Sequence, residues 1–496
     1  MGNTLEKTVN ATVNTEKSVE DLPQAQKEIL KSVFTTGYGV SPDTQVDAAA
    51  LRVENLDDRI KNLTWGEEDF TIVKDIDREV STSTVQKYVT FLKHGRIGST
   101  LFQPEIGISN VNSPRLKQKQ VNMKYIVDVR QQSMVSNLVR NIESPTDINL
   151  LDSMLVVTKT IEWAIFYGDA DMTAEGEGQG LEFDGIAKLM NQNNVVDVHG
   201  QSLTPEVLNY ASTVIGKYFG VATDAYMPIG VKADFSNQFL GAQRIVIPSQ
   251  EGSTFGVNAD KFLSARGNIR LNGSTIMDND AILDTDAELD PSAPQAPKVT
   301  AKVEADKGGL WLDKDAKYAN NITVEKEVGV EQEYRVTLTG TSAVSAPSEI
   351  IKATPAKATD GITLTISINS IQRSIPSYAS IYRKGKLTGE FYLIKRIPMS
   401  QMDDATGNLT FTDIDERMPE TADVFILERR PTVLSLLELL PTTKVNLPTV
   451  TTATQFMLLW FGALKVSNPN RIVRVKNVRY VSGNENYMRQ QVQLTV

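Results

Sequence analysis

Residues 84–140 cannot bury a core of their own. Their apolar side chains come in short bursts, Val85, Tyr88 and Phe91, then Val121, Met123, Tyr125 and Val127. Gly95, Gly98, Gly107 and Pro114 fall between the bursts. That pattern predicts a long two-stranded ribbon with a projecting turn. Two strands alone are marginal in water, so the ribbon must lie on something else. It is also basic. Lys87, Lys93, Arg96, Arg115, Lys117, Lys119, Lys124, Arg130 and Arg140 stand against only Glu105 and Asp128, a net +7. Aromatics are not interleaved with these cations as base stacking requires, so the ribbon reads as a protein-facing or solvated arm.

The rest of the chain supplies a counter-charge. Residues 141–300 carry a net −13 and residues 431–496 a net +5, inside a 496-residue chain whose total is −10. A basic arm crossing a neighbour's acidic body sets register and orientation, and repetition of the contact adds avidity. Surfaces made to be covered by copies of the same chain belong to closed shells.

Most catalytic chemistries are excluded. There is no cysteine, hence no thiol nucleophile, disulfide framework or Cys-ligated metal. His94 and His199 are the two histidines, too far apart for a short metal motif. A carboxylate-based hydrolase stays open only because acids are numerous. No cofactor-binding motif is found. Asp169-Ala-Asp171 opens an acidic, glycine-rich loop, but an EF-hand would need Gly where Ala174 stands and Glu where Gly180 stands. A flexible acidic loop is the expectation there.

Met1-Gly-Asn-Thr4 leads into Leu5 and Glu6 without an apolar signal core, and Glu6 breaks the myristoylation pattern. The longest apolar run, Phe456 to Leu464, falls far short of the ~20 residues a spanning helix needs, so no membrane partner is expected.

Along the chain, Asp21 and Pro23 start a helix whose stripe is Leu22, Ala25, Ile29, Leu30 and Val33. Pro145-Thr-Asp147 begins a long helix to Tyr167, with Leu151, Met154, Leu155, Thr158, Ile161 and Ile165 on one face. Thr204-Pro-Glu206 caps another helix, residues 225–231 read as a buried strand, and a helix follows near Ala233–Leu240. Pro291, Pro294 and Pro297 mark a linker, after which short strand candidates run from Lys298 to Leu427. Tyr334-Arg-Val-Thr-Leu338 with Gly340 and Ser345-Ala-Pro-Ser348 resembles the late strand and turn of fibronectin-like and immunoglobulin-like domains. The segment has the look of an insertion, since a different pattern resumes after Arg430.

With these pieces in place the chain resembles a known family. It is similar to the major capsid proteins of tailed phages with the Hong Kong 97-type fold, those of Twort-like myophages of Gram-positive bacteria above all. The resemblance rests on Phe34-Thr-Thr-Gly-Tyr-Gly39 with Ser41-Pro-Asp-Thr44, Asn62-Leu-Thr-Trp65, Thr158-Lys-Thr-Ile-Glu-Trp163 and Phe166-Tyr-Gly-Asp169. Gly180-Leu-Glu-Phe-Asp-Gly185, Ala222-Thr-Asp-Ala-Tyr-Met-Pro-Ile-Gly230, Pro419-Glu-Thr-Ala-Asp-Val-Phe425 and Val475-Lys-Asn-Val-Arg-Tyr480 complete it.

The resemblance implies an α+β fold of N-arm, extended loop, peripheral and axial domains with an inserted immunoglobulin/fibronectin-like β-sandwich. The expected divisions are 1–30, a segment offered for proteolytic trimming; 31–83, the arm; and 84–133, the extended loop. Next come 134–290, the peripheral domain with its spine helix and the first axial part; 291–427, the sandwich; and 428–496, the remainder. It implies a non-enzymatic shell protein of hexamers and pentamers forming an icosahedral head. Implied partners are portal, scaffold, a maturation protease and double-stranded DNA packaged without sequence specificity. Assembly contacts are expected at Lys87, Lys93, Arg96, Arg115, Lys117 and Lys119. The competing expectation is an adhesin or tail component whose sandwich binds glycan or protein through Trp311, Tyr378, Tyr382 or Tyr392.

Overall fold

The protein's structure is a computed structural model that describes residues 70–93, 102, 105–106, 113–139, 144–173, 180–239, 246–249, 252–255, 259–279, 282–283, 294–317, 323–324, 326–340, 344–368, 376–403 and 406–481. The helix expected after Asp21, and Arg96, lie outside the described residues. In chain order the elements are α1 (Ile72–Asp75), β1 (Arg78–Val80), β2 (Val85–Lys93), β3 (Arg115–Asn122), β4 (Lys124–Ser133), α2 (Met134–Leu138), α3 (Pro145–Tyr167) and α4 (Ile186–Leu189). There follow β5 (Val195–Asp197), α5 (Pro205–Lys217), β6 (Asp224–Pro228), α6 (Ile229–Asn237), β7 (Val246–Ser249), β8 (Gly252–Phe255), β9 (Lys261–Ser264), β10 (Gly267–Ser274) and α7 (Ile276–Asn279). Next are β11 (Lys298–Glu304), β12 (Ala316–Lys317), β13 (Thr323–Val324), β14 (Gln332–Gly340), β15 (Ile351–Ala353), β16 (Gly361–Ser367), β17 (Pro376–Lys384), β18 (Phe391–Pro398) and β19 (Asn408–Asp413). The last are β20 (Thr421–Leu427), β21 (Leu434–Thr451), β22 (Ala453–Val466) and β23 (Ile472–Arg479).

Three cores hold these elements. The first lies between α3 and the sheet β1-β21-β22-β4. Along β22, buried Phe456, Leu458 and Trp460 alternate with half-buried Met457, Leu459 and Phe461, the period of a strand. So the apolar run at 456–464 is a strand with one face on the helix. Pro145 occupies the first turn of α3 and Asp147 complements its N-terminus. Gly168 ends the helix, and a Cβ there would lie 2.6 Å from the Ala164 carbonyl oxygen, so no other residue fits without a shift. The buried stripe is Ser153, Val157, Ile161, Ala164 and Ile165. Leu151 and Met154, expected on that face, are exposed. Only the C-terminal half of the helix follows the predicted stripe, because small Ser153 is the residue turned toward the core at the other end. Glu162, fully buried on α3, accepts from the Thr71 backbone N–H at 2.9 Å and from its hydroxyl at 2.8 Å, tying α1 to the helix. Burial pushes this carboxyl's pKa up against those hydrogen bonds.

The second core lies against the six-stranded sheet β5-β23-β20-β6-β10-β9, with Leu208, Ala211 and Ile215 of α5 and Val231 and Phe235 of α6 packed on it. Two expectations shift here. Residues 229–231 belong to α6, which starts directly after Pro228, and not to the strand. Val424–Leu427, read with the run of β-sandwich strands, pairs instead with β23 and β6 in this body sheet.

The third core is enclosed by the sheets β11-β16-β19 and β15-β14-β17-β18, both of which contribute to one cluster around Trp311, Tyr334, Leu364 and Ile381. We refer to it as the two-sheet unit. Arg383 is buried inside it, 2.8 Å from Asp413 and also paired with Asp415, its guanidinium 4.9 Å from the Trp311 ring centroid. Tyr334 donates its hydroxyl to Asp413 at 2.8 Å, so one polar group links β14, β17 and β19.

Candidate assembly surfaces

The ribbon is formed by β2 and β3, antiparallel from Val85 opposite Asn122 to Lys93 opposite Arg115. The alternation of side chains gives it two faces of different fate. On one, Tyr88 donates its hydroxyl to the Val466 carbonyl at 3.0 Å, Thr90 is buried, and Val121 packs on the first core. Burial raises the Tyr88 pKa accordingly. On the other, Val85, Val89 and Leu116 stay 40, 58 and 54% exposed around exposed Lys87. The base of the ribbon is therefore seated on its own body, while an apolar stripe stays open.

Five of the six expected contact cations lie on these strands: Lys87, Lys93, Arg115, Lys117 and Lys119. Arg96 is outside the described residues. Lys93 stands opposite Arg115 in register. Arg115 and Lys117 are exposed. Lys119 is half-buried, and burial together with neighbouring Lys117 lowers its pKa. The sequence pattern placed the ribbon's return strand over 121–127. In the structure β3 stops at Asn122, buried Met123 interrupts it, and Tyr125, Val127 and Val129 belong to β4 of the large sheet.

That sheet presents a second open apolar face, which no motif announced. Tyr125, Val127 and Val129 are 53, 50 and 53% exposed, and they stand opposite Phe461, Leu459 and Met457 of β22. Tyr125 and Phe461 meet edge to face, centroids 4.8 Å apart. Clusters of this kind on a folded chain mark contact sites for other protein.

Among the described residues no group of three or more His, Cys, Asp or Glu is placed to hold a metal ion. His199 lies in a turn with φ of 47°, its backbone N–H donating to Asp197 at 2.8 Å. Asp169 and Asp171, expected in a flexible loop, are held in a short 3-10 turn by Lys188. Residues 174–179 of that loop lie outside the described residues. Trp311, an expected ligand-presenting aromatic, is 2% exposed in the third core. Burial raises the pKa of Tyr382, and Tyr378 lies against Arg396 at 5.3 Å. No helix among the described residues is long and apolar enough to cross a membrane.

Two open apolar faces and a basic ribbon, among the described residues, define a chain built for contact with other protein. The sequence comparisons show the family. The model of the SU10 major capsid protein family matches residues 34–292. The major capsid protein of Staphylococcus phage S25-3 is 46% identical over 473 residues, covering 94% of this chain and 99% of the relative. That of Staphylococcus phage K is 45% identical with the same coverage. Among solved structures, the capsid of Myoviridae phage XM1 is similar with TM-score 0.40 at 8% identity, over 88% of this chain and 100% of that one. A Mycobacterium phage Bobi chain is similar with TM-score 0.41 at 7% identity, over 87% and 97%. This chain belongs to the SU10 major capsid protein family and is a component of the phage virion capsid. The resemblance carried by the quoted motifs holds at the level of family, and the adhesin reading finds no support in the relatives.

Proposed function

We propose that copies of this chain assemble into hexameric and pentameric capsomers of an icosahedral head shell with the Hong Kong 97-type fold, and that the ribbon of each copy reaches onto its neighbour. The observation that carries this reading is the open stripe of Val85, Val89 and Leu116 beside Lys87. A ribbon of this kind is stable only when covered, and its cations favour the acidic surface of residues 141–300. Residues 31–83 act as the arm, 84–133 as the extended loop, and 134–290 with 428–496 as the peripheral and axial parts. The two-sheet unit is an inserted immunoglobulin/fibronectin-like sandwich projecting from the outer surface. Residues 1–30 are the segment that a maturation protease trims. Portal and scaffold direct assembly, and the inner surface meets packaged double-stranded DNA without sequence specificity. The chain works without catalysis or cofactor.

Sedimentation velocity across ionic strength tests this. Capsomer-sized species should give way to slower ones as salt screens the ribbon charges. A distribution that is monomeric at every salt and protein concentration contradicts it.

A further inference from the structure

The two-sheet unit meets the body through the backbone, where the Leu283 N–H donates to the Phe391 carbonyl at 2.8 Å, and through the side chain of Arg396. Arg396 of β18 donates from Nη2 to the Tyr167 carbonyl at 3.0 Å, and its Nη1 is 3.7 Å from Glu182. Its guanidinium lies 4.5 Å from the Trp163 ring centroid and 5.3 Å from that of Tyr378 on β17. Trp163, Tyr167 and Glu182 belong to the end of α3 and the turn that follows it, which together form a seat for the unit. A cavity of about 260 Å³ lies beside the clamp, lined by Trp163, Tyr167, Arg396, Arg417, Arg474 and Lys476. Close packing therefore does not by itself fix the unit's angle at this point.

The seat has an unusual construction. The carboxylates of Asp169, Asp171 and Asp184 converge on the single ammonium of Lys188, at 2.6 Å for Asp171 and 2.9 Å for Asp184, with Asp169 also in direct contact. The same acids hold the turn's backbone. Ala170 N–H donates to Asp184 at 3.0 Å, Asp171 N–H to Asp169 at 3.0 Å, and Asp169 N–H to Glu182 at 3.3 Å. Partial burial works against the lysine's charge, yet its hydrogen bonds to the three carboxylates raise its pKa, so the ammonium is the stable form. Remove that charge and three carboxylates face one another with only Lys124, near Asp184, as a remaining cation, so their repulsion loosens the cluster. The turn that carries Glu182 and abuts Tyr167 would then open.

We propose that Lys188 is the positioning residue of a latch: it draws residues 169–171 and 182–184 into the arrangement that Arg396 grips, and so sets the angle at which the two-sheet unit stands on the body. Lys188 acts through the seat. Arginine is required in the gripping role because its planar fork bonds and stacks at once. Only the consequence for the shell surface rests on reading the unit as an insertion. The joint itself is a property of the single chain, so its test is separate from that of assembly.

Hydrogen exchange of the full chain, held unassembled at high salt, is the experiment. In K188M, protection across 391–398 should fall by about tenfold or more while 361–367, in the same unit but away from the seat, keeps wild-type protection. K188R should recover most of the loss, which a general packing defect would not. R396K should lower protection at both 391–398 and 169–173. Wild-type protection at 391–398 in K188M, or no recovery in K188R, overturns the proposal. Should K188M fail to fold, unchanged protection at both segments in R396K overturns it equally.

Discussion

Asp423 shows how much a single buried side chain carries. It is 2% exposed, 3.1 Å from Arg417 and 2.8 Å from Arg474. Burial opposes its ionisation, but the two guanidiniums hold it down at about 2. An unfolded aspartate titrates near 4. The folded pKa lies below the unfolded one, so the stabilisation is present above about pH 4 and is lost as pH falls toward 2, about 2–3 kcal/mol in all. Denaturant unfolding between pH 6 and 2 should show that loss, and D423N should flatten the profile over this window. Truncation to D423A leaves two half-buried guanidiniums without this partner and should cost about 1–3 kcal/mol by chemical denaturation. None of this was legible in the sequence. Arg474 lies 51 positions from Asp423 and Lys188 lies 17 from Asp171, distances at which only the fold brings charges together. The stripe of α3 was half legible: Ile161 and Ile165 follow from spacing, but Ser153 gives no hydrophobic signal, and Leu151 and Met154 give a false one.

At the scale of elements the ribbon was the most readable part, because glycine and proline punctuation and short apolar bursts have few other solutions. Its limit at Asn122 was not readable. Val121, Met123, Tyr125 and Val127 alternate without a break, and only the switch of neighbour from β2 to β22 divides them. The faces make a prediction. V89D with L116D alters exposed side chains, so monomer stability should stay within about 0.5 kcal/mol, while assembly followed by light scattering should be lost. Charge reversal at Lys117 and Lys119 should also impair assembly, more severely at low salt, where the native attraction is strongest. Assembly at the wild-type rate in either variant removes the ribbon from the interface. The open face of Tyr125, Val127 and Val129 was missed for a plain reason. Alternating apolar residues signal one buried face, and here both faces of the sheet are apolar, one for α3 and one left open.

At the scale of the whole molecule, the net charge of −10 describes no region of it. A +7 ribbon, a −13 body and a +5 C-terminal segment give the chain regions of opposite charge, which the proposed assembly would bring together between copies. The change of texture after the prolines foretold the third core, while β20 shows where such reading ends: a strand near Leu427 belongs to whichever sheet offers it an edge. Absence of cysteine and scarcity of histidine removed most enzyme classes before any fold was known, and family membership agrees with a structural role. The most direct measurement is negative-stain electron microscopy of the purified full-length chain, alone and co-expressed with a scaffold. The account predicts closed shells or capsomer-sized rings; particles no larger than one chain under every condition contradict it.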